Sequence, residues 1–209
     1  MEKGIITILS GFSGAGKGTI VKKLVEKYDN YALSISATTR KPRAGEENGR
    51  EYFFKTAEEF EQMIENNELI EYASYVNNYY GTPRDYVESQ LLQGKDVILE
   101  IELQGAMKVK EQNPEVVLIF VTPPSADELK NRLIGRGTED MDTINARLKR
   151  AVYESEFMDR YDYLLINDDL ETCVEQLHSI IQSEHDSVKR NIERINSIRE
   201  DIKIFSEGE

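Results

Sequence analysis

The stretch GIITILSGFSGAGKGTIVKKLVEKY, residues 4–28, decides the fold of this 209-residue chain. Its first eight residues are largely apolar, rich in β-branched side chains and ended by a glycine, a pattern that predicts a short buried strand. Its last ten residues predict a helix, because their apolar side chains recur at helical spacing. The side chains on that helical face are Ile20, Val21, Leu24, Val25 and Tyr28. The nine residues from 11 to 19 contain four glycines and one lysine, a composition that suits neither a helix nor a strand.

The glycine-rich segment matches the pattern G-x-x-x-x-G-K with Gly11, Gly16 and Lys17. In such a loop the backbone N–H groups and the helix N-terminus surround phosphate oxygens, while the lysine ammonium reaches the β- and γ-phosphates. The alternative is a glycine turn that merely joins two elements, but it leaves a lysine at a helix start, against the dipole, unexplained. We predict a nucleotide-phosphate site formed by Gly11, Phe12, Ser13, Gly14, Ala15, Gly16, Lys17, Gly18 and Thr19.

Three further runs predict buried strands with helical neighbours: KDVILEIEL (95–103), EVVLIFVTPP (115–124) and YDYLLIND (161–168). Strands that alternate with helices indicate a parallel sheet covered by helices on both faces, and ligands of such sheets bind at the carboxyl ends of the strands. The residues expected at or near those ends are Gly11, Glu100, Glu102, Pro123 and Asn167. The predicted fold class is therefore α/β, with a P-loop parallel-sheet core flanked by helices.

Two segments interrupt the alternation of strands and helices. Residues 34–82 are polar, arginine-bearing and rich in turns at first, then predict one helix and one strand, which indicates an inserted α+β lobe. Residues 125–157 are helical and arginine-rich around a Gly-Arg-Gly turn, a pattern that suits a mobile helical flap. The core is then expected to comprise residues 1–33, 83–124 and 158–209.

Composition excludes several classes of function. The net charge of −13 and a pI near 4.8 argue against non-specific binding of nucleic acid and against a polybasic contact with a membrane. Cys173 is the single cysteine, so no intrachain disulfide can form. No signal peptide and no apolar run of about 18 residues is recognisable, which leads us to expect a cytoplasmic protein. The two histidines, His178 and His185, both lie in a C-terminal helical stretch, which disfavours a histidine-based catalytic triad.

A second group of phosphate-binding side chains is expected in the inserted lobe. Arg40 and Arg43 lie three residues apart in a turn-rich segment, and two guanidinium groups so spaced can both bind one phosphate. Ser36 and Tyr52 accompany them, and the run NYYGTPR (78–84) adds hydroxyl donors. Those further donors are Tyr79, Tyr80 and Thr82. A solvated surface would explain one arginine more readily than this whole group.

With these motifs the sequence closely resembles guanylate kinases from about Gly4 to His178. The most specific stretches are TTRKPRAGEENGREY (38–52), IEYASYVNNYYGT (70–82), LEIELQG (99–105), RLIGRGT (132–138) and INDD (166–169). The resemblance implies transfer of the γ-phosphoryl group of ATP to GMP, and to dGMP, with Mg²⁺ as cofactor. It also implies three parts, namely the core, a GMP-binding lobe (34–82) and a LID (125–157).

The resemblance assigns roles by motif position. It implies that the GMP phosphate is held by Arg40, Arg43, Tyr52 and Tyr80, beside Gly81, and that guanine is addressed by Ser36, Glu71, Thr82 and Glu102. A carboxylate suits guanine, whose N1–H and amino group are adjacent donors that adenine lacks. It further implies that the catalytic cations are Lys17, Arg40, Arg132, Arg136 and Arg147, and that Asn167 and Asp168 contact adenine. The alternatives are a solvated helix face for the flap arginines and an Asx turn for Asn167 and Asp168.

Two positions depart from the pattern of the family. Gly18 follows the lysine, where P-loops usually have a serine or threonine that binds Mg²⁺. We therefore expect Mg²⁺ to be held mainly by the ATP phosphates, with Thr19 or Glu100 contributing through water. Glu100 and Glu102 stand where the family commonly has an aspartate in at least the second position, so the longer side chains are expected to alter base or metal contacts.

Two rival functions belong to other classes. A guanylate-kinase-like binding module would recognise protein partners without catalysis, but such modules have a degraded P-loop, whereas Gly16 and Lys17 are intact here. A kinase acting on another small molecule, such as a ribose phosphate, would lack the guanine-reading residues Ser36 and Glu71.

The C-terminal tail carries an apolar stripe through charged positions. Its members are Val188, Ile192, Ile195, Ile198 and Ile202. We expect the stripe to pack on the protein's own surface, with homo-oligomer formation through the C-terminal helix as the alternative.

Overall fold

The computed structural model describes residues 3–75, 77–135, 137 and 140–206. The strands are Ile6–Gly11 (β1), Tyr31–Leu33 (β2), Ala37–Thr38 (β3), Phe53–Phe54 (β4), Leu69–Tyr75 (β5), Asn78–Pro83 (β6), Asp96–Glu100 (β7), Val117–Thr122 (β8) and Tyr163–Ile166 (β9). The α-helices are Lys17–Lys27 (α1), Ala57–Glu65 (α2), Arg84–Leu92 (α3), Leu103–Gln112 (α4), Ala126–Gly135 (α5), Met141–Ser155 (α6), Leu170–His185 (α7) and Ile192–Ile202 (α8). Short 3₁₀ turns lie at Met158–Arg160, Val188–Arg190 and Lys203–Phe205.

The core is a five-stranded sheet in the order β2–β7–β1–β8–β9, and every neighbouring pair is parallel. The predicted α/β fold with a parallel sheet is therefore confirmed. All four strands predicted from apolar runs are present, whereas β2 has only three residues and gives no periodic signal. The strand predicted at 95–103 ends at Glu100, because Glu102 already caps helix α4.

Helices cover both faces of this sheet. On one face α1 and α7 bury Ile20, Leu24, Val174 and Leu177 against the strands. On the other face α3 and α4 contribute a second apolar cluster. Since both faces are covered, the central strands are buried almost throughout, and the ligand site is confined to an edge.

Residues 37–83 form a separate four-stranded sheet in the order β4–β3–β6–β5, with α2 packed against it. A small apolar cluster holds this unit together, and the ring of Phe60 stacks on Tyr79 at 5.2 Å. Tyr79, predicted as a hydroxyl donor to ligand, therefore packs its ring within the lobe. The inserted α+β architecture is present as expected, whereas its behaviour as a separate moving domain stays a prediction.

A buried carboxylate, that of Asp96 at the start of β7, contacts the C-terminal end of helix α7. Asp96 is 2% exposed; its carboxylate accepts the Ile5 backbone N–H at 2.9 Å and lies 2.8 Å from His185 Nε2. The ring of His178 stacks on Tyr28 at 3.8 Å and meets the Tyr31 hydroxyl. Both histidines therefore serve packing of the C-terminal helix, as their position in the sequence suggests.

The tail beyond α7 does not pack its apolar stripe on the protein. Four of its five members are exposed, with Val188 at 69% and Ile202 at 56%, and Ile195 is half-buried. The expectation that the stripe covers the protein's own surface is therefore wrong. Within the described part of the chain, every helix is too short or too polar to cross a membrane.

Candidate active site

The loop between β1 and α1 has a backbone that only glycine accommodates easily. Gly14 and Gly16 have φ angles of 93° and 91°, in the left-handed region. A Cβ on Gly16 would lie 2.5 Å from Asn167 Nδ2, and one on Gly11 would lie 2.1 Å from the Val121 carbonyl oxygen. The glycines of the motif are therefore required by the conformation of the loop and by its contacts with neighbouring strands.

Lys17 opens α1, with Gly16 as the N-cap. Its ammonium donates to the carbonyl oxygens of Gly11 and Phe12 at 2.9 and 3.2 Å, so it curls back over the loop. The Phe12 ring points into the core and contacts Phe120 at 5.0 Å, which leaves its backbone to face a ligand. The loop thus combines a helix N-terminus with one cation, the arrangement that binds nucleotide phosphates.

Asn167 supports the loop from behind. Its amide donates to the Ala15 carbonyl oxygen at 2.7 Å, and the side chain is only 7% exposed. Asp168, the next residue, is exposed. Of the two residues predicted to contact adenine, one therefore braces the phosphate loop and the other faces solvent.

A pocket of about 450 Å³ lies over the loop, lined by Ser13, Gly14, Gly16, Lys17, Gly18, Thr19 and Glu100. Glu100 enters it from the carboxyl end of β7. Burial raises the pKa of this carboxyl group, and the nearby Lys17 charge opposes the rise. Among the described residues, no cluster of three or more acidic, histidine or cysteine side chains could hold a metal by itself.

Helices α5 and α6 carry Arg132 and Arg147, two of the three flap arginines that were predicted as catalytic cations. The Arg147 guanidinium donates to the Ser13 hydroxyl of the phosphate loop, across 134 residues of sequence. Arg132 is a quarter exposed and pairs with Glu128, one helical turn earlier, at 2.6 Å. Arg136 lies outside the described residues. Of the flap arginines, Arg147 is thus the one seen in contact with the loop.

In the inserted lobe, Arg40 is held by an acidic partner that sequence reasoning missed. Its Nη2 donates to both carboxylate oxygens of Glu46 at 2.9 Å, and the guanidinium lies over the Tyr52 ring at 5.2 Å. The bond from Arg40 lowers the pKa of Glu46, which also accepts the Arg43 backbone N–H at 2.7 Å. The feature of the sequence that could have identified Glu46 is its place as an acidic residue in the turn after two arginines.

Glu71 and Thr82 meet between strands β5 and β6. The buried Thr82 hydroxyl donates to Glu71 Oε1 at 2.8 Å. Burial raises the pKa of Glu71, and the bond from Thr82 opposes that rise. Gly105 of α4 borders the other carboxylate oxygen, since a Cβ there would lie 3.2 Å from Glu71 Oε2. Two strands and one helix therefore present a largely desolvated carboxylate.

The remaining predicted residues of the lobe range from a close contact of Glu71 to an exposed position. Gly81 packs so closely that an added Cβ would lie 2.8 Å from the Glu71 carbonyl oxygen. Tyr80 is half-buried, with its ring centroid 6.1 Å from that of Tyr52. Ser36 is half-buried beside β3, and Arg43 is exposed.

Glu102 differs from Glu71 in its surroundings. It caps α4 without a side-chain hydrogen bond to the helix, and its side chain is 79% exposed. Its Oε2 lies 3.8 Å from Arg150 Nη2 on α6, a residue that sequence reasoning did not single out. Glu102 therefore stands between the inserted lobe and the arginine-bearing helix.

A glycine loop between a buried parallel strand and a helix, contacted by an arginine of a helical segment, in a chain that also carries an inserted polar lobe, is the arrangement of a P-loop kinase of small phosphorylated substrates. The family model for guanylate kinase matches residues 3–184. The chain therefore belongs to the guanylate kinase family.

Individual relatives agree over nearly the whole chain. It is 55% identical over 200 residues to the guanylate kinase of Oceanobacillus iheyensis, covering 96% of this chain and 97% of that one. It is 48% identical over 203 residues to the guanylate kinase of Lactococcus lactis subsp. lactis, covering 97% and 99%. A crystal structure of guanylate kinase from Anaplasma phagocytophilum superposes with a TM-score of 0.71 at 35% identity, covering 91% and 90% of the two chains.

Proposed function

We propose that the protein transfers the γ-phosphoryl group of ATP to GMP, and to dGMP, giving ADP and GDP or dGDP. One observation carries the proposal: the segment from Glu100 to Gly105 borders two sites at once. Glu100 lines the pocket over the phosphate loop, and Gly105 borders the half-buried carboxylate of Glu71. Direct transfer to GMP requires that the site for the ATP phosphates and the site for guanine lie close together. Here the phosphate loop and the Glu71 carboxylate lie on either side of one junction between a strand and a helix.

The donor side is assigned to the phosphate loop. The backbone from Gly11 to Thr19 binds the β- and γ-phosphates of ATP, and Lys17 neutralises charge that develops on the transferred group. Before nucleotide binds, the Lys17 ammonium rests on two loop carbonyl oxygens, which phosphate oxygens replace. Arg132, Arg136 and Arg147 supply further positive charge from the LID. Asn167 keeps the loop in shape, and Asp168 is left to contact adenine.

The acceptor side is assigned to the inserted lobe. Arg40, Arg43, Tyr52 and Tyr80 bind the GMP phosphate, beside Gly81. Glu46 keeps the Arg40 guanidinium oriented, with one face on Tyr52. Glu71 accepts the two adjacent donors of guanine, while Ser36, Thr82 and Glu102 complete the base site. Because Glu71 is already partly desolvated, a base without paired donors leaves that carboxylate unsatisfied.

The chemical step needs no general base from the protein. An oxygen of the GMP phosphate attacks the γ-phosphorus of ATP, a new P–O bond forms, and the bond to the β-phosphate oxygen breaks. The attacking oxygen is already anionic, so no proton must be removed from it. The protein contributes alignment, charge neutralisation and exclusion of water. In the proposed division into core, GMP-binding lobe (34–82) and LID (125–157), closure of the two smaller parts excludes water.

Magnesium is the proposed cofactor, brought in mainly by the ATP phosphates. The oxygen atoms that suit a hard cation beside the loop are the Thr19 hydroxyl, which is exposed, and the Glu100 carboxylate. We assign them a contribution through water. When bound, the cation offsets charge on the phosphates during transfer.

The test is ADP formation from ATP with GMP, dGMP, AMP, UMP and CMP as acceptors, each with and without Mg²⁺. We expect turnover with GMP and dGMP alone, and only with the metal. Turnover with none of them, with GMP still bound in calorimetry, would support the rival binding module. Turnover with a different phosphorylated acceptor would support the rival kinase. Since ATP and GMP are cytoplasmic metabolites, we propose the cytoplasm as the place of action.

We also propose that the tail mediates homo-oligomer formation. The exposed members of its stripe lie on an otherwise charged helix, and burying them against a second copy removes them from water. Light scattering of the full chain should give at least a dimer, and Ile198→Asp with Ile202→Asp should give a monomer with unchanged turnover. Leu92→Asp, at a residue 75% exposed outside the tail, is the matched control and should remain oligomeric. A monomeric full chain at micromolar concentration would contradict the proposal.

A further inference from the structure

Glu102 and Arg150 form a contact between the start of α4, which is assigned to the guanine site, and α6, which belongs to the proposed LID. Arg150 Nη2 lies 3.8 Å from Glu102 Oε2, across from α6 to the N-terminus of α4. Glu102 has no cap hydrogen bond to hold it. In the part of the chain that the structure describes, Arg150 is the only cation within 4.0 Å of this carboxylate. Arg150 on α6 is therefore the cation placed to orient the Glu102 side chain.

Arg150 is oriented from its own helix. Its Nε donates to Glu154 Oε1 at 2.9 Å, and the Glu154 side chain is only 13% exposed. The guanidinium also lies 5.3 Å from the centre of the Tyr153 ring. Since Nε is bound by Glu154 and the guanidinium lies beside the Tyr153 ring, the guanidinium is held with its Nη2 towards Glu102.

The same helix also contacts the phosphate loop. Arg147 lies three residues before Arg150, hence on the same face of α6, and hydrogen-bonds the Ser13 hydroxyl. One rigid element thus touches the loop assigned to ATP and the carboxylate assigned to guanine.

Charge at the base site provides a second reason for a cation here. Glu71 is half-buried, and the neighbouring Glu102 charge makes its ionisation harder, while Lys108 makes it easier. Two carboxylates directed at one base repel each other, and Arg150 offsets the more exposed of them.

We propose that Arg150 is a positioning residue for guanine recognition, which holds the Glu102 carboxylate ready for the base and ties its orientation to α6. The proposal rests on the proposed function. A flexible exposed glutamate loses rotamer freedom when it binds a ligand, and a pre-oriented one loses less. Arg150 should therefore strengthen GMP binding without taking part in the chemical step.

The experiment compares Arg150→Gln, Arg150→Lys and the parent in steady-state kinetics. Exposed ion pairs contribute little, so we expect KM for GMP to rise about two- to fivefold in Arg150→Gln, with kcat and KM for ATP unchanged. Arg150→Lys should restore part of the loss. Lys149→Gln removes one charge from the exposed side of the same helix and should behave like the parent.

A double-mutant cycle with Glu102→Gln separates positioning from a structural role. If Arg150 acts through Glu102, Arg150→Gln should have no further effect on KM for GMP in the Glu102→Gln background. An equal effect in both backgrounds, a fall in kcat, or no change in KM for GMP would overturn the proposal. A parent enzyme that does not phosphorylate GMP would instead overturn the proposed function, so the two failures are distinguishable.

Discussion

The phosphate loop and the guanine-side pocket are built in opposite ways. The loop presents backbone N–H groups, fixed by glycines whose added Cβ atoms would collide with Val121 or Asn167. The pocket presents side chains, chiefly a carboxylate of β5 and a hydroxyl of β6, brought together by strand pairing. One region depends on local conformation and the other on tertiary assembly.

The difference suits the two tasks. A row of backbone dipoles beside a helix N-terminus binds any phosphate, with little regard for the group attached to it. Discrimination between bases needs donors and acceptors at fixed positions, and a desolvated carboxylate penalises a base that cannot satisfy it. Substitutions in the loop should therefore slow transfer for every acceptor, and substitutions in the pocket should act on the acceptor alone.

Lys17→Met should have the largest effect, because it removes the one side-chain charge that the loop itself supplies. Electrostatic contacts to developing charge contribute about 3–4 kcal/mol to a transition state, so kcat should fall by about 10²–10³-fold with both GMP and dGMP. Circular dichroism and thermal unfolding should match the parent.

Lys27→Met is the matched control for this substitution. Lys27 ends the same helix and pairs with exposed glutamates, at 2.9 Å in the case of Glu175, so its loss should leave turnover unchanged. A folded Lys17→Met enzyme with near-parental turnover would remove the loop from the mechanism.

Glu71→Gln should come next and should affect the acceptor only. The substitution keeps the size of the side chain but removes its charge and one acceptor of hydrogen bonds. We expect kcat/KM for GMP to fall about 10²-fold, on the order of 3 kcal/mol for a charge-assisted pair, with KM for ATP unchanged. Glu68→Gln, at an exposed position near the start of the same strand, should match the parent. Equal losses for ATP and GMP would show that Glu71 does not read guanine.

The same contrast explains what the sequence alone could predict. The phosphate loop is encoded in nine consecutive residues, so its position between β1 and α1 followed from pattern and spacing. The pairing of Glu71 with Thr82 depends on which strands become neighbours, and the resemblance to a family implied only that both residues address guanine. Glu46 was missed because its pairing with Arg40 depends on how the intervening turn folds, and Arg150 was missed because its contact with Glu102 brings two separate helices together. The apolar spacing in the tail correctly predicted a helix, but spacing does not say whether a helix face finds a partner, and this one is exposed.

Thr82→Val should reduce activity less than Lys17→Met or Glu71→Gln. It should also change the pH dependence of activity with GMP, which tests the role of Glu71 directly. The hydroxyl donates to Glu71 and lowers its pKa, opposing the rise that burial causes. A hydrogen bond to a charged group contributes about 1.5 kcal/mol, so kcat/KM for GMP should fall about tenfold. Guanine binding needs the carboxylate, so activity is present above the pKa of Glu71 and is lost as the pH falls through it. Removing the hydroxyl raises that pKa further, and the acid limb of kcat/KM for GMP should move to higher pH.

Thr7→Val is the matched control, because the Thr7 hydroxyl is buried in β1 and has no hydrogen-bond partner among the described residues, so neither kinetics nor the pH profile should change. An acid limb that stays in place in Thr82→Val would show that Glu71 is not the group that titrates.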